Sequence, residues 1–168
     1  MANFNVIHYG GEGGEFKFVF GRKVYFGTDD NDAMIGSTGK NVMNAGEGED
    51  LLRAGAGNDM LNGGSGDDTL YGGLGEDALL GGNGSDTLIG GADADRFILG
   101  AGDDVIEDYN SSEGDKIGIA FLTNYRFEQI EGDVKVFSDQ GETTIKNTEL
   151  DELTVINKGQ IVDLSQVN

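Results

Sequence analysis

Carboxylates recur at a fixed interval through the middle of this chain: Asp32, Asp50, Asp59, Asp68, Asp77, Asp86, Asp95 and Asp104 fall in one register, with Asn41 in the remaining place. Acids can transfer protons or hold a cation. Proton transfer needs a pocket that raises the pKa of one particular acid, and nothing in the neighbouring sequence sets one of these aspartates apart. A row of equivalent carboxylates offers a repeated set of hard oxygen ligands, and its self-repulsion asks for a counter-charge.

The interval is nine residues. Nine units begin at residues 27, 36, 45, 54, 63, 72, 81, 90 and 99, with the acid or Asn41 at the sixth place. The eighth place reads Met34, Met43, Leu52, Leu61, Leu70, Leu79, Leu88, Phe97 and Ile106, so every unit also carries one large apolar residue. Glycine holds the second place in seven successive units from Gly46 to Gly100, and the fourth place everywhere except Asp30 and Asp93. Glycine serves where φ must turn positive or where backbones must approach closely. A turn that offers oxygens thus alternates with a short strand that offers core. Calcium fits such a site, because it takes six to eight oxygen ligands at about 2.3 to 2.6 Å and tolerates irregular geometry.

The units GGSGDDTLY, GGLGEDALL and GGNGSDTLI, residues 63 to 89, resemble the RTX, or haemolysin-type, calcium-binding repeat. The resemblance spans about half of the chain. It implies an all-β fold, a right-handed parallel β-roll in which two units make one coil of eighteen residues and unit n stacks on unit n+2. Sixth-place carboxylates would then face each other at the strand spacing of about 4.8 Å, in the pairs Asp50 with Asp68, Asp59 with Asp77, Asp68 with Asp86, Asp77 with Asp95 and Asp86 with Asp104. By the same resemblance, carbonyls of the glycine turns complete the ligand set: Gly46 and Gly48, Gly55 and Gly57, Gly64 and Gly66, Gly73 and Gly75, Gly82 and Gly84. Five to seven calcium ions are expected. Thr28, Ser37 and Asn41 depart from the pattern, so a site shared by Asn41 and Asp59 is expected to be weaker. Asp93 stands where glycine is the rule and is a candidate extra ligand.

Three regions follow: capping strands over 1–26, the nine repeats over 27–107, and a β-rich cap with a possible secretion-signal region over 108–168. Their formal charges are +1, −14 and −7, which make up the −20 of the whole chain. One large apolar residue per strand makes a thin core, so ion binding is expected to be what closes the roll. Removing the ion should unfold it, acidification should act as chelation does, and magnesium should substitute poorly. At the N-terminus, the apolar runs Phe4 to Tyr9 and Phe16 to Phe26 read as strands over the open end of the roll, or else as a partner surface. Past Glu107 the stretch 103–119 resembles the segment that closes such rolls, with Asp108 and Asp115 read as solvated turn acids in preference to ligands of a last site. Arg126 to Ile130, Val134 to Phe137, Thr143 to Lys146 and Leu153 to Ile156 are β-prone.

The sequence has no Cys and no Pro. No segment has the length and apolarity of a membrane span, and a net charge of −20 argues against nucleic acid. No enzyme is expected: the single histidine, His8, sits in an apolar run, and neither HExxH nor GxSxG occurs. The family implies export through type I machinery, with which the tail QIVDLSQVN is compatible, and therefore a secreted, extracellular protein. The expected function is a calcium-binding module that folds on meeting extracellular calcium and supports secretion and stability, alone or fused to a catalytic or adhesive domain. A calcium-dependent carbohydrate-binding module is the alternative. An acidic glycan would call for a cationic groove, yet the repeats hold only three basic residues. Ice binding would call for threonine columns, and Met60 and Ala78 interrupt the run of Thr69 and Thr87 at the seventh place.

Overall fold

In a computed structural model of the chain, residues 15–19, 22–119, 122, 124–162 and 164 are described. The apolar run Phe4 to Tyr9, His8 and the last four residues of the tail lie outside them.

The nine-residue period becomes strands laid alternately into two sheets. One sheet holds, in spatial order, β1 (Glu15–Val19), β2 (Arg22–Phe26), β4 (Asn41–Glu47), β6 (Met60–Ser65), β8 (Ala78–Asn83), β10 (Arg96–Ile98), β12 (Lys116–Gly118), β16 (Val155–Asn157) and β17 (Gln160–Val162). The other runs from β3 (Ala33–Ile35) through β5 (Leu51–Ala56), β7 (Thr69–Leu74), β9 (Thr87–Ala92) and β11 (Asp104–Ile106) to β15 (Glu142–Ile145), β14 (Asp133–Phe137) and β13 (Arg126–Ile130). From β2 to β16 and from β3 to β15 the pairing is parallel. Within the repeats each residue pairs with the one eighteen places on, as in Leu61↔Leu79 and Leu70↔Leu88. The architecture is the all-β parallel roll, with a single 3₁₀ turn, Leu150–Glu152, and no α-helix among the described residues.

Alternation within a strand sends the eighth-place residue inward and its neighbours out. All nine eighth-place side chains are buried, and Ile117, Ile145 and Val155 continue their rows beyond the repeats. The stack also corrects the reading of the seventh place. Thr69 and Thr87 are neighbours on β7 and β9, whereas Met60 and Ala78 belong to the opposite sheet and never shared their column. Leu51 and Val105 flank the two threonines on their own sheet, so the face is not a threonine array.

At the N-terminal end β1 and β2 form an antiparallel hairpin, and β2 pairs in parallel with β4, so the hairpin prolongs one sheet. At the other end β13, β14 and β15 form an antiparallel meander whose last strand pairs with β11. These strands agree with the β-prone runs to within one or two residues, which reflects regular alternation of apolar and polar residues, as in Val134 and Val136 inward.

Leu79 has no exposed surface, and Leu74 is 61% exposed on the turn. At a common calcium concentration, Leu79→Ala should cost about 2 to 5 kcal/mol and Leu74→Ala no more than about 0.5 kcal/mol in urea unfolding; equal costs would contradict a core built on the eighth place.

Candidate metal centre

The register of eighteen sorts the sixth-place residues into two columns along opposite edges of the roll. Asp32, Asp50, Asp68, Asp86 and Asp104 form one; Asn41, Asp59, Asp77 and Asp95 form the other, and all nine are buried. Each backbone N–H in a column donates to Oδ1 of the residue one coil on: Asp32 to Asp50, Asn41 to Asp59, Asp50 to Asp68, Asp59 to Asp77, Asp68 to Asp86, Asp77 to Asp95 and Asp86 to Asp104, at 2.6 to 3.2 Å. One oxygen of each carboxylate is thereby fixed. The other oxygen, Oδ2 of Asp50, Asp59, Asp68, Asp77, Asp86 and Asp95, is buried with no hydrogen-bond donor. A buried acceptor left unmade costs free energy, and a buried charge costs far more.

What surrounds that second oxygen can be read at Asn41, the one column member with a donor to show. Its Oδ1 accepts from the Tyr25 hydroxyl of the preceding coil, so its Nδ2 stands where the aspartates carry Oδ2. That nitrogen lies 2.9 Å from the Ser37 carbonyl oxygen, 2.6 Å from that of Gly39, 3.4 Å from that of Ala54 and 3.0 Å from Asp59 Oδ1. The second- and fourth-place carbonyls of one turn, the first-place carbonyl of the next coil and its sixth-place carboxylate therefore converge on one point. In the aspartate units Gly63 reports the same convergence: a Cβ there would lie 2.1 Å from Asp68 Oδ2 and 2.7 Å from the first-place carbonyl of Gly81. Oxygens meet with no hydrogen between them. A hard cation satisfies such a set; a catalytic proton relay does not follow from it.

The glycines make the convergence possible. Gly46, Gly48, Gly55, Gly57, Gly64, Gly66, Gly73, Gly75, Gly82 and Gly84 all have φ between +108° and +132°. At Gly64 a Cβ would fall 2.0 Å from the Gly46 carbonyl oxygen, so the coil below leaves no room for a side chain even if the strain were met. Asp93 adopts φ 80° in a fourth place with an exposed side chain, and its charge is among those that raise the pKa of Asp77.

Burial raises the column pKa values. Asp68, Asp77, Asp95 and Asp104 are pushed up to about 7 and Asp86 to about 6, first by loss of water and then by neighbouring carboxylates, with backbone N–H donors pulling the other way. Asp50 and Asp59 are raised too, chiefly by burial; hydrogen bonds from Asn41 and the charge of Lys40 partly offset the rise at Asp59.

The columns end in residues whose second oxygen is supplied by protein. Asp115 follows Asp95 by twenty residues and takes the next place in its column, accepting the N–H of Asp95 on Oδ1 and that of Asn110 on Oδ2. Asp108 accepts the N–H groups of Gly90 and Gly91 with its two oxygens. Asp115 is buried and Asp108 half-buried, so neither is a solvated turn acid. Above Asp104 the register brings Thr143 in place of an acid. A second ladder runs outside the first: Oδ1 of Asn31, Asn58, Asp67 and Asp103 accepts the N–H of Glu49, Glu76, Ser85 and Glu142. All four acceptors stand at the fifth place, and the first three accept from the fifth-place N–H one coil on, a pattern visible in the sequence once units are aligned in steps of two. Among the described residues no group of three or more acidic, histidine or cysteine side chains is placed to hold a metal ion by itself. A cavity of about 780 Å³ is lined by Gln129, Leu150, Leu153 and Val162 in the C-terminal strands, apart from both columns.

A family model described as the RTX calcium-binding nonapeptide repeat, in four copies, matches residues 26–61, 44–79, 53–88 and 71–106. Among solved structures the chain is similar to the extracellular lipase LipA from Serratia marcescens, with a TM-score of 0.39 and 16% identity over 83% of this chain and 40% of that one. It therefore spans about two fifths of the lipase. It is also similar to the AlgE6R3 subunit of the Azotobacter vinelandii mannuronan C5-epimerase, with a TM-score of 0.48 and 22% identity over 84% and 87% of the two chains. No curated protein sequence matches it.

The raised pKa values give the metal-free roll a definite pH dependence. A carboxyl whose folded pKa lies near 6 to 7, against about 3.9 unfolded, favours the fold below the lower value, and that advantage is lost as pH rises through the higher one. Acidification, expected to act as chelation does because the carboxylates must be ionised to bind, would also protonate the columns and relieve their repulsion in the metal-free roll. In calcium-free buffer the far-UV β signal and melting temperature should be higher at pH 5 than at pH 8; the reverse order would contradict buried, unmatched carboxylates.

Proposed function

We propose, from the premise that residues 26–106 are an array of the RTX calcium-binding nonapeptide repeat family, that this chain folds when it meets calcium outside the cell. In that role it supports the export and stability of itself or of a larger secreted protein. Calcium binding itself rests on the repeats; the coupling to folding and export is our reading. The observation that carries it is the set of six buried carboxylate oxygens without a donor, each in a turn whose carbonyls point the same way.

The physical sequence is simple. In metal-free water at neutral pH the chain carries −14 over its repeats and cannot bring two columns of carboxylates into register without burying charge. Low calcium keeps it extended and exportable through a type I channel. Bound calcium supplies the missing positive partner at each turn, so its binding free energy becomes folding free energy. Asp50, Asp59, Asp68, Asp77, Asp86 and Asp95 would hold the ions through Oδ2, with carbonyls of Gly46 and Gly48 and their counterparts up to Gly82 and Gly84. Six orphaned oxygens support six ions. Asn41 supports none, because its own amide nitrogen already serves the four oxygens that an ion would take. Asp32, held at Oδ2 by the N–H and hydroxyl of Thr28, and Asp104, reached by the Gly100 N–H, mark the ends of the other column. We assign no catalytic step to this chain.

Circular dichroism and calorimetry at pH 7.5 test the reading. The calcium-free chain should lack most of the β signal, regain it cooperatively with calcium and gain little from equal magnesium. Asn41→Asp should add one bound ion and weaken the calcium-free state further. Full β structure without calcium, or an unchanged ion count in Asn41→Asp, would overturn it.

A further inference from the structure

Two asparagines of the array stand directly before glycine: Asn62 before Gly63 and Asn83 before Gly84. That pair of residues has a chemistry of its own. The backbone nitrogen of the second can attack the side-chain amide carbon of the first, and glycine, having no Cβ, leaves the approach open. The roll keeps glycine at both places. A Cβ on Gly63 would lie 2.1 Å from Asp68 Oδ2, and one on Gly84, where φ is +125°, would lie 2.2 Å from the Gly66 carbonyl oxygen. Other asparagines of the array have bulkier followers: Asn44, paired with Asn62 one coil before it, precedes Ala45, and Asn31 and Asn58 precede aspartates.

We propose that Asn62 and Asn83 are sites of spontaneous deamidation, open in the calcium-free chain and closed by the roll, so that calcium sets the chemical lifetime of the chain as well as its fold. The proposal rests on the calcium-coupled folding argued above. Water is the only co-reactant. The Gly84 nitrogen loses its proton to solvent base and bonds to Asn83 Cγ; the Cγ–Nδ2 bond breaks, and Nδ2 leaves as ammonia after taking a proton from solvent. Water then adds to either carbonyl of the cyclic imide and opens it to aspartate or isoaspartate, with nothing oxidised or reduced. Gly63 and Asn62 react in the same way.

The roll blocks the first bond at each place. The Gly84 N–H donates to the Ala101 carbonyl at 2.8 Å, and the Asn83 carbonyl accepts the Gly66 N–H at 2.8 Å. The peptide group that must turn to bring its nitrogen onto Cγ is therefore held on both sides along the stack. Gly63 is buried inside β6, which is paired with β4 and β8, and the Asn62 side chain is held as well, its Nδ2 donating to Asn44 Oδ1. The Asn83 side chain is exposed and makes no hydrogen bond among the described residues, so its backbone alone protects it. Isoaspartate carries the main chain through the former side chain and lengthens it by one methylene. At position 83 the insertion falls between Gly82 and Gly84, in the turn of Asp86; at position 62 it displaces Gly63, whose carbonyl holds the first place above the turn of Asp50, as that of Ala54 does above Asn41. Each isoaspartate therefore removes one calcium site, and a chain left without calcium loses the means to close.

The test ages the full chain at pH 8, with calcium and with excess chelator, and follows it by peptide mapping, an enzymatic isoaspartate assay and circular dichroism. Chelated protein should be modified at Asn62 and Asn83 at least about tenfold faster than loaded protein, while Asn31, Asn44 and Asn58 stay intact over the same period. In loaded protein the residual reaction should be faster at Asn83 than at Asn62. Once calcium is restored, aged wild type should bind fewer ions than fresh protein, whereas the double variant Asn62→Gln, Asn83→Gln should keep its fresh count, because glutamine must close a larger ring. The wild-type peptide map decides the matter even where the double variant does not fold. Equal rates with and without calcium, while circular dichroism shows a loaded roll and an unfolded chelated chain, would overturn the protection and leave the calcium reading standing. Faster residual reaction at Asn62 than at Asn83, an equal loss of ions from the aged double variant, or a full ion count in wild type carrying isoaspartate at both sites would overturn it as well. Full β signal in chelator would instead sink the reading on which it rests.

Discussion

The structure depends on oxygens that meet without a proton between them. In each inner turn, backbone carbonyls and a carboxylate Oδ2 converge at a buried point, while the neighbouring N–H groups are already committed to bonds along the stack. Hydrogen bonding between coils therefore cannot relieve the clash of acceptors, because it is what creates the convergence. A positive partner must come from outside the repeat. The raised pKa values of the column acids express the same fact in another form: a proton would serve if a metal did not.

Repetition makes this constraint into an architecture. Glycine at the second and fourth places lets each coil lie on the last without a side chain between, and one apolar residue per strand fills the narrow interior. The array must also stop. Its ends are where protein donors meet the converging oxygens: the Asn41 amide nitrogen at one end of its column and the Asn110 N–H on Asp115 at the other. Beyond these points the roll continues as ordinary strands, into the β1–β2 hairpin and the C-terminal meander.

Much of this was legible in the sequence because the determinants are local and periodic. Sixth-place acids, eighth-place apolar residues and glycine turns mark the nonapeptide, the family resemblance they carry implies the roll and its step of eighteen, and alternation in Val134 and Val136 marks strands of the meander. What escaped depends on register or on orientation. Asp115 was hidden by a two-residue insertion that moves it from eighteen to twenty places after Asp95. Reading the nonapeptides as one column mixed two edges, so Met60 and Ala78 were set against Thr69 and Thr87, which lie on the other sheet. The Asn41 side chain could offer oxygen or nitrogen to its turn, and only Tyr25, sixteen residues away, decides which.

The most direct measurement is the position and number of the ions themselves, from anomalous diffraction of calcium-grown crystals together with a metal count on the same protein in solution. Six ions are expected, each within about 2.3 to 2.6 Å of Oδ2 of Asp50, Asp59, Asp68, Asp77, Asp86 or Asp95. A folded roll with two or fewer ions, or with ions bound to the exposed acids while these six oxygens stay bare, would contradict coordination by the buried columns.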